Sequence, residues 1–117
     1  MRAKLRLTGP LAAAFAIAAV TVPIASASGQ DAASVAITVK GRQFQPAEVH
    51  APANQRISIR VKNLDSAAIE FESVSLRVEK VVAPGAEGIV SVRPLSPGRY
   101  EFFDDFHQQT RGTLVVP

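Results

Sequence analysis

Two short acidic segments carry the side chains that could do chemistry in this sequence. One is Glu-Phe-Glu at residues 70–72, and the other is Asp-Asp-Phe-His at residues 104–107. Carboxylate and imidazole ligands suit iron, cupric copper, manganese or zinc. The soft sulfur ligands that hold cuprous copper are missing, because the chain has no cysteine and its one methionine is Met1. The two segments therefore predict a site for a hard or borderline metal ion.

The second segment continues a strand pattern that turns one carboxylate inward. Asp104 has the same parity as Tyr100 and Phe102, so its side chain points into the protein if the strand extends that far. An ionised carboxylate that is buried without a partner costs several kcal/mol, so Asp104 needs a cation, an arginine, hydrogen-bond donors or a proton. His107 follows close behind and can join it at the same end of the fold.

Each of these side chains also has an ordinary structural interpretation. Asp104 and Asp105 are typical turn residues that hydrogen-bond their own loop, and His107 can be a loop histidine without a ligand. Glu70 and Glu72 can be two acids on a solvated strand face. The residue types alone leave both interpretations open.

Outside these two segments, the sequence pattern of most of the chain predicts a series of short strands. The alternation of apolar and polar residues is clearest at Ile57, Ile59 and Val61. It recurs over 35–39, 47–49, 69–72, 76–79, 90–92, 100–103 and 113–116, with Pro-Gly turn signals at 84–85 and 97–98. No segment after Ser28 has helical spacing. Seven or eight strands at such intervals predict an all-β fold, a small antiparallel sandwich or barrel.

The N-terminal segment has the features of a signal peptide. Three basic residues precede an uncharged apolar stretch over 11–22, and the small residues at 25–27 suit a signal peptidase. We expect residues 1–27 to be cleaved, residues 28–34 to form a flexible leader and residues 35–117 to form one domain that is secreted through the cleaved signal peptide. The alternative, an uncleaved anchor, is disfavoured because about 20 apolar residues are needed to cross a bilayer and Pro23 shortens this stretch.

Cleavage would also change the charge of the protein. The whole chain has 13 lysines and arginines against 10 aspartates and glutamates, but three of the basic residues lie in the predicted signal peptide, so the mature chain is neutral. A neutral chain lacks the basic surface that attracts phosphate backbones or anionic lipid. We therefore expect no nucleic-acid binding, and no membrane insertion after cleavage.

A further set of short motifs is spread over nearly the whole mature chain. They are Phe44-x-Pro46, Asn63-x-Asp65, Glu70-Phe71-Glu72, Glu79-Lys80, Ala83-Pro84-Gly85, Leu95-x-Pro97-Gly98-x-Tyr100 and Gly112-x-Leu114-x-Val116. In their order and spacing they resemble the EfeO-type cupredoxin-like domain of bacterial periplasmic iron-uptake systems. The resemblance implies a Greek-key β-sandwich whose metal site lies at one end, between the loop after Asn63 and the loop after Tyr100.

The same resemblance shows where this sequence departs from a blue-copper protein. Asp104 stands where the thiolate ligand would be, Glu70 or a neighbour stands where the first histidine would be, and no methionine follows His107. A blue-copper centre needs His, His and Cys, so it cannot form here. The implied ligands of an iron or copper ion are Glu70, Asp104 and His107, with Glu72, Asp105 and Glu101 as outer candidates. We expect Asp104 to face Glu70 from the opposite sheet.

The resemblance implies a periplasmic, cupredoxin-like metal-binding accessory protein of iron or copper uptake. Its partners would be a membrane iron permease and other periplasmic iron-uptake proteins. Two alternatives from other classes stay open. The site could oxidise ferrous iron, which needs an electron acceptor that the chain does not supply. The metal site could instead be lost, with Asp104 held by Arg111 or by loop amides, in a protein that serves as an interaction module.

Overall fold

The computed structural model describes Ala14, residues 16–20 and residues 32–117. The predicted signal peptide over 1–27 and the predicted leader over 28–34 therefore lie mostly outside the described residues. The last two leader residues, Ala33 and Ser34, already belong to the first strand. Within the described parts of the chain, no helix has the length and apolar character needed to cross a membrane.

Nine β-strands make up the described part of the chain, which confirms the all-β prediction. Residues 43–45 form an additional strand that is too short for its alternation to show in the sequence. Leu76 was expected in a strand but lies in the turn over 74–77, where its N–H donates to the Ser73 hydroxyl oxygen (3.2 Å). The strands are β1 (Ala33–Lys40), β2 (Gln43–Gln45), β3 (Glu48–His50), β4 (Ile57–Asn63), β5 (Ile69–Ser73), β6 (Val78–Val82), β7 (Glu87–Val92), β8 (Gly98–Asp104) and β9 (His107–Val116).

The strands form two sheets that pack against each other. The first sheet has the order β2-β1-β4-β7, and the second has the order β3-β9-β8-β5-β6. Each sheet contains one parallel pair, β1 with β4 and β3 with β9, while the other neighbours are antiparallel. The predicted sandwich is present, but the antiparallel pairing expected for it does not hold for β1 with β4 or for β3 with β9. The reason is that the pairing partners are distant in the sequence, whereas the alternation reports only on each strand by itself.

Three phenylalanines pack against one another in the core between the sheets. Phe44 comes from the first sheet, and Phe71 and Phe102 come from the second. Phe44 meets the other two rings edge-on, with centroids 6.0 Å and 5.0 Å away. Gly112 leaves room for this cluster, since a Cβ atom there would run into the ring of Phe102. The cluster fixes the inner faces of β5 and β8, and with them the faces on which their polar residues lie.

One end of the sandwich, which we call the loop end, consists of the β1–β2 turn (41–42), the β4–β5 loop (64–68) and the β8–β9 turn (105–106). Asn63 is fully buried there. Its side-chain Nδ2 donates to the carbonyl oxygens of Ala67 (2.8 Å) and Val82 (3.2 Å). These bonds hold the β4–β5 loop against the second sheet, next to the residues that the sequence singled out.

Candidate metal site

Asp104 ends β8 with its carboxylate inside the sandwich, which confirms the orientation that its parity predicted. The residue is 1% exposed and pairs with Phe71 across the two strands. Its Oδ1 accepts hydrogen bonds from the backbone N–H groups of Glu70 (3.0 Å) and Phe106 (3.0 Å). Its Oδ2 lies 2.9 Å from Nδ1 of His107. Donors at the loop end therefore satisfy the buried carboxylate.

The same contact orients the imidazole of His107. An ionised carboxylate only accepts, so Nδ1 of His107 carries the proton of this hydrogen bond and Nε2 is the ring nitrogen left over. The His107 side chain is 26% exposed, so the ring reaches from the buried carboxylate to the surface. The structure thus brings Asp104 and His107 together, and Oδ2 of Asp104 and Nδ1 of His107 are hydrogen-bonded to each other.

Glu70 does not face Asp104 from the opposite sheet, and that expectation is wrong. Glu70 lies on β5, which neighbours β8 in the same sheet, and it is the Glu70 backbone N–H that contacts Asp104. The side chains of Ile69 and Phe71 are buried in the core, so the Glu70 side chain between them points to the outer face of the sheet. Glu70, Asp104 and His107 therefore do not converge on one ion in the described part of the chain.

The outer candidates Glu101 and Asp105 take separate positions. Glu101 lies on the outer face of β8, where its carboxylate pairs with Arg111 (2.6 Å). Arg111 therefore does not hold Asp104, whose partners are the N–H of Glu70 in β5, the N–H of Phe106 in the β8–β9 turn and the His107 ring. Asp105 lies in the β8–β9 turn, and its N–H donates to the carbonyl oxygen of Glu70 (2.9 Å).

Three glutamates form a compact group on the outer face of the second sheet. Carboxylate oxygens of Glu70, Glu72 and Glu79 all lie within 4.8 Å of one another. Glu70 and Glu72 share a face of β5, and Glu79 stands directly opposite Glu72 on β6. We call these three residues the glutamate cluster. Among residues 32–117 no other group of three potential metal ligands lies this close together.

Glu79 was not among the site residues predicted from the sequence, although it belongs to one of the motifs. Its place in the cluster depends on the register of the β5–β6 hairpin, which pairs Ser73 with Val78 and Glu72 with Glu79. The signal that could have found it is a four-residue turn over 74–77, which fixes this register. The alternation of apolar residues at 76 and 78 suggested a longer strand and hid that turn.

The proximity of the carboxylates changes how they titrate. A hydrogen bond with Glu79, burial, and repulsion from Glu79, Asp105 and Glu72 raise the pKa of Glu70 to about 7. Burial, followed by repulsion from Asp105 and Glu79, also raises the pKa of Glu72 above its ordinary value. The cluster therefore holds a proton more readily than isolated glutamates do, and a bound cation would relieve the same repulsion.

No basic side chain neutralises the glutamate cluster in the part of the chain that the structure describes. Glu70 is only 8% exposed, yet no lysine, arginine or histidine nitrogen lies within 4 Å of its carboxylate or of the other two. By contrast, the glutamates outside the cluster each have an arginine partner: Glu48 with Arg99, Glu87 with Arg60, and Glu101 with Arg111. The cluster is therefore a concentration of acidic groups that no basic side chain of the described residues neutralises.

Comparison with known protein families identifies the domain. A family model described as "Cupredoxin-like domain" matches residues 10–116. The chain belongs to this cupredoxin-like family. A curated relative, the uncharacterized protein RP394 of Rickettsia prowazekii (strain Madrid E), is 41% identical to this cupredoxin-like chain over 83 residues. The match covers 70% of this chain and 66% of that protein, so the chain spans slightly less than two thirds of its relative.

Solved structures of copper-containing proteins share the cupredoxin-like fold of this chain. The metal-binding domain of the Streptococcus pneumoniae D39 Cu(I)-exporting P-type ATPase CopA, with Cu(I), has a TM-score of 0.63 at 15% identity and covers 72% of this chain and 84% of that one. The reduced Cu(I) form of an amicyanin variant has a TM-score of 0.59 at 13% identity and covers 78% of this chain and 89% of that one. Identities this low show the fold alone.

The residues of this cupredoxin-like domain do not fit a copper–thiolate site. The chain has no cysteine. Both carboxylate oxygens of Asp104 accept hydrogen bonds, and Nδ1 of His107 is one of the donors. Cuprous copper selects thiolate and thioether ligands, which are absent here. A metal ion bound by this protein would need other ligands, and the glutamate cluster offers oxygen atoms only.

Proposed function

We propose that this protein is an exported cupredoxin-like accessory of bacterial iron uptake that binds a hard cation, ferric iron in first place, through Glu70, Glu72 and Glu79. The observation that carries the proposal is the convergence of three carboxylates within 4.8 Å around a buried glutamate. A cation there would take the place of the proton on Glu70 and compensate the charge of the cluster.

The ligand atoms of the cluster select the class of ion. Carboxylates suit hard cations such as Ca²⁺, Mn²⁺ and ferric iron, whereas imidazole and sulfur ligands favour copper and zinc. Asp105 is close enough to raise the pKa of both Glu70 and Glu72, so it adds to the negative potential around the cluster. Glu79 is exposed, which leaves room for water molecules as further ligands.

Iron uptake is the context that the sequence motifs support. The Glu-Phe-Glu segment at 70–72 and the Glu79-Lys80 pair both belong to the motifs that resemble the EfeO-type domain. A periplasmic location and partnership with a membrane iron permease and other periplasmic iron-uptake proteins belong to the same proposal. The copper of the solved relatives is a property of those proteins, whose identity to this chain is low.

Titration of the metal-free protein with Fe(III), Fe(II), Cu(II), Mn(II) and Ca(II), followed by equilibrium dialysis and elemental analysis, tests the proposal. We expect saturable Fe(III) binding that is weakened about tenfold or more in Glu79→Gln, since even the outer-shell partners of metal ligands change affinity about 10- to 100-fold. Glu87→Gln is the matched control, because Glu87 lies on the other sheet and pairs with Arg60 (3.0 Å).

Two outcomes would contradict metal binding at the cluster. The first is the absence of saturable binding of any of these ions by the folded protein. The second is an equal loss of binding in Glu79→Gln and Glu87→Gln, which would assign the uptake to general surface charge.

A metal-free interaction module is the second candidate function, and the loop end favours it. Both carboxylate oxygens of Asp104 accept hydrogen bonds from protein groups there. Two large apolar side chains at this end are about half exposed, Phe106 at 50% and Leu64 at 49%. Exposed apolar groups of this kind suit contact with a partner protein. The titration above decides between the two candidates.

A further inference from the structure

A cavity of about 580 Å³ opens at the loop end beside His107. It lies between the β1–β2 turn and the start of β9, and no residue of the glutamate cluster lines it. None of the residues that line it is acidic, and those with polar side chains are Arg42, Gln43, His107, Gln108, Gln109 and Thr110. Its size is within the range of about 300–1,000 Å³ that is usual for small-molecule sites, and it far exceeds what a bare ion needs.

Arg42 brings a positive charge to this cavity on a firmly held backbone. The carboxylate of Asp65 accepts the backbone N–H groups of Gly41 (2.7 Å) and Arg42 (2.8 Å). The carbonyl oxygen of Arg42 accepts the hydroxyl of Thr110 (2.7 Å). These three bonds hold Arg42 at a φ of 57°, a left-handed conformation that a residue with a side chain seldom adopts. The backbone from which the Arg42 side chain extends is therefore held in place by contacts within the domain.

The Arg42 guanidinium is not used by the fold in the described part of the chain. No carboxylate of residues 32–117 lies within 4 Å of it, and the oxygens of Asp65 are engaged with backbone N–H groups. Guanidinium groups bind carboxylates through two parallel hydrogen bonds. Arg42 is one of the residues that line the cavity, and its guanidinium is thus available to a carboxylate.

His107 also lines this cavity, and its imidazole carries one nitrogen that the contact with Asp104 leaves unused. Its Nδ1–H is directed at Asp104, so the ring is held in place and Nε2 is its remaining nitrogen. In the neutral ring Nε2 accepts a hydrogen bond, which a hydroxyl group can donate. The amides of Gln43 and Gln109 can donate to further oxygen atoms.

From these contacts we propose that the cavity binds a small hydroxycarboxylate, with a carboxylate on Arg42 and a hydroxyl group on Nε2 of His107. The ligand can arrive as the free acid or as the chelator of a metal ion, since both present the same groups. The proposal does not rest on metal binding by the glutamate cluster, because the two sites share no side chain.

Calorimetric titration with citrate, with ferric citrate and with tricarballylate, which has the same three carboxylates as citrate but no hydroxyl group, tests the proposal at constant ionic strength. We expect saturable citrate binding that weakens about tenfold in Arg42→Gln, the usual effect of losing a charge-assisted hydrogen bond. Arg56→Gln is the control, because it removes the same charge from a residue directly before β4, whereas the loop end lies at the far end of β4. The citrate affinity of this variant should stay within twofold of that of the parent. Tricarballylate should bind more weakly than citrate.

Several results would overturn the proposal. They are the absence of saturable binding of both citrate and ferric citrate, equal effects of Arg42→Gln and Arg56→Gln, or an unmoved His107 ring signal in NMR spectra at saturating ligand. Binding of ferric citrate alone would identify the chelate as the source, and binding of citrate alone the free acid. Citrate binding should persist in Glu79→Gln, so failure of this site and failure of the glutamate cluster are separate results.

Discussion

At the scale of single residues, Asp104 decides what the loop end can do. Its carboxylate is buried and accepts three hydrogen bonds, two from backbone N–H groups and one from His107. These bonds tie the start of β5 to the β8–β9 turn. The hydrogen bonds of the Asp104 carboxylate, one of them with the His107 imidazole, therefore join these two elements at the loop end.

Replacing Asp104 by alanine should destabilise the protein strongly. The change leaves the N–H groups of Glu70 and Phe106 and Nδ1 of His107 without their acceptor, and we expect a loss of about 3 kcal/mol or more in the free energy of unfolding. Urea unfolding at neutral pH measures it. Asp105→Ala is the control and should change stability by less than about 0.5 kcal/mol, since the Asp105 side chain bonds only the exposed Gln108. Equal losses in the two variants would contradict this account of Asp104.

Glu70 predicts a specific dependence of stability on pH. Its pKa is about 7 in the folded protein against an ordinary value of 4.5, so between these two values the folded state binds more protons than the unfolded state. Stability from this group is therefore highest below the ordinary pKa and falls as pH rises through the folded pKa. Metal affinity at the cluster should change in the opposite direction, because a cation competes with the proton.

Urea unfolding across pH 4.5 to 8 checks this titration. Glu79→Gln removes the largest cause of the raised Glu70 pKa, so it should flatten the decline in stability above pH 5. Glu87→Gln should retain the slope of the parent protein. A parent and a Glu79→Gln variant with the same slope would show that the carboxylates are not coupled.

At the scale of elements, local patterns predict strands and faces but not which strands are neighbours. Alternation around Phe71 correctly placed Glu70 and Glu72 on one face of β5, and strand parity correctly turned Asp104 inward. The bond from the Glu70 N–H to Asp104 joins residues 34 positions apart, and it exists only because β5 pairs with β8. Neither this pairing nor the hairpin register that brings in Glu79 can be read from the periodicity of one segment.

Gly112 on β9 tests how closely the elements of the core are packed. In Gly112→Ala the new Cβ would meet the ring of Phe102 and would lie 2.9 Å from the backbone oxygen of Ala47, which cannot move away as a flexible side chain can. We expect a loss of about 1–3 kcal/mol from overpacking, measured by urea unfolding. In the control Gly98→Ala the nearest atom is a Tyr100 ring carbon at 3.5 Å, and little change is expected. Equal stability of both variants would contradict the packing around Phe102.

At the scale of the whole molecule, one sandwich carries three chemically different regions. The loop end is closed by the Asp104–His107 pair, the adjoining cavity presents Arg42, and the outer face of the second sheet carries the glutamate cluster. The fold is shared with copper-containing proteins, but its site chemistry is not. A fold supplies positions, and the side chains at those positions decide the function.

The most direct test of this account compares Fe(III) binding by Glu79→Gln and His107→Gln under the same dialysis conditions, with circular dichroism to confirm that both variants fold. We predict that Glu79→Gln loses the binding, because it removes one of the three converging carboxylates. We predict that His107→Gln keeps the affinity of the parent protein, because the ring contacts Asp104 and lies outside the cluster. Retention in Glu79→Gln together with loss in His107→Gln would place the ion at the loop end and contradict the account.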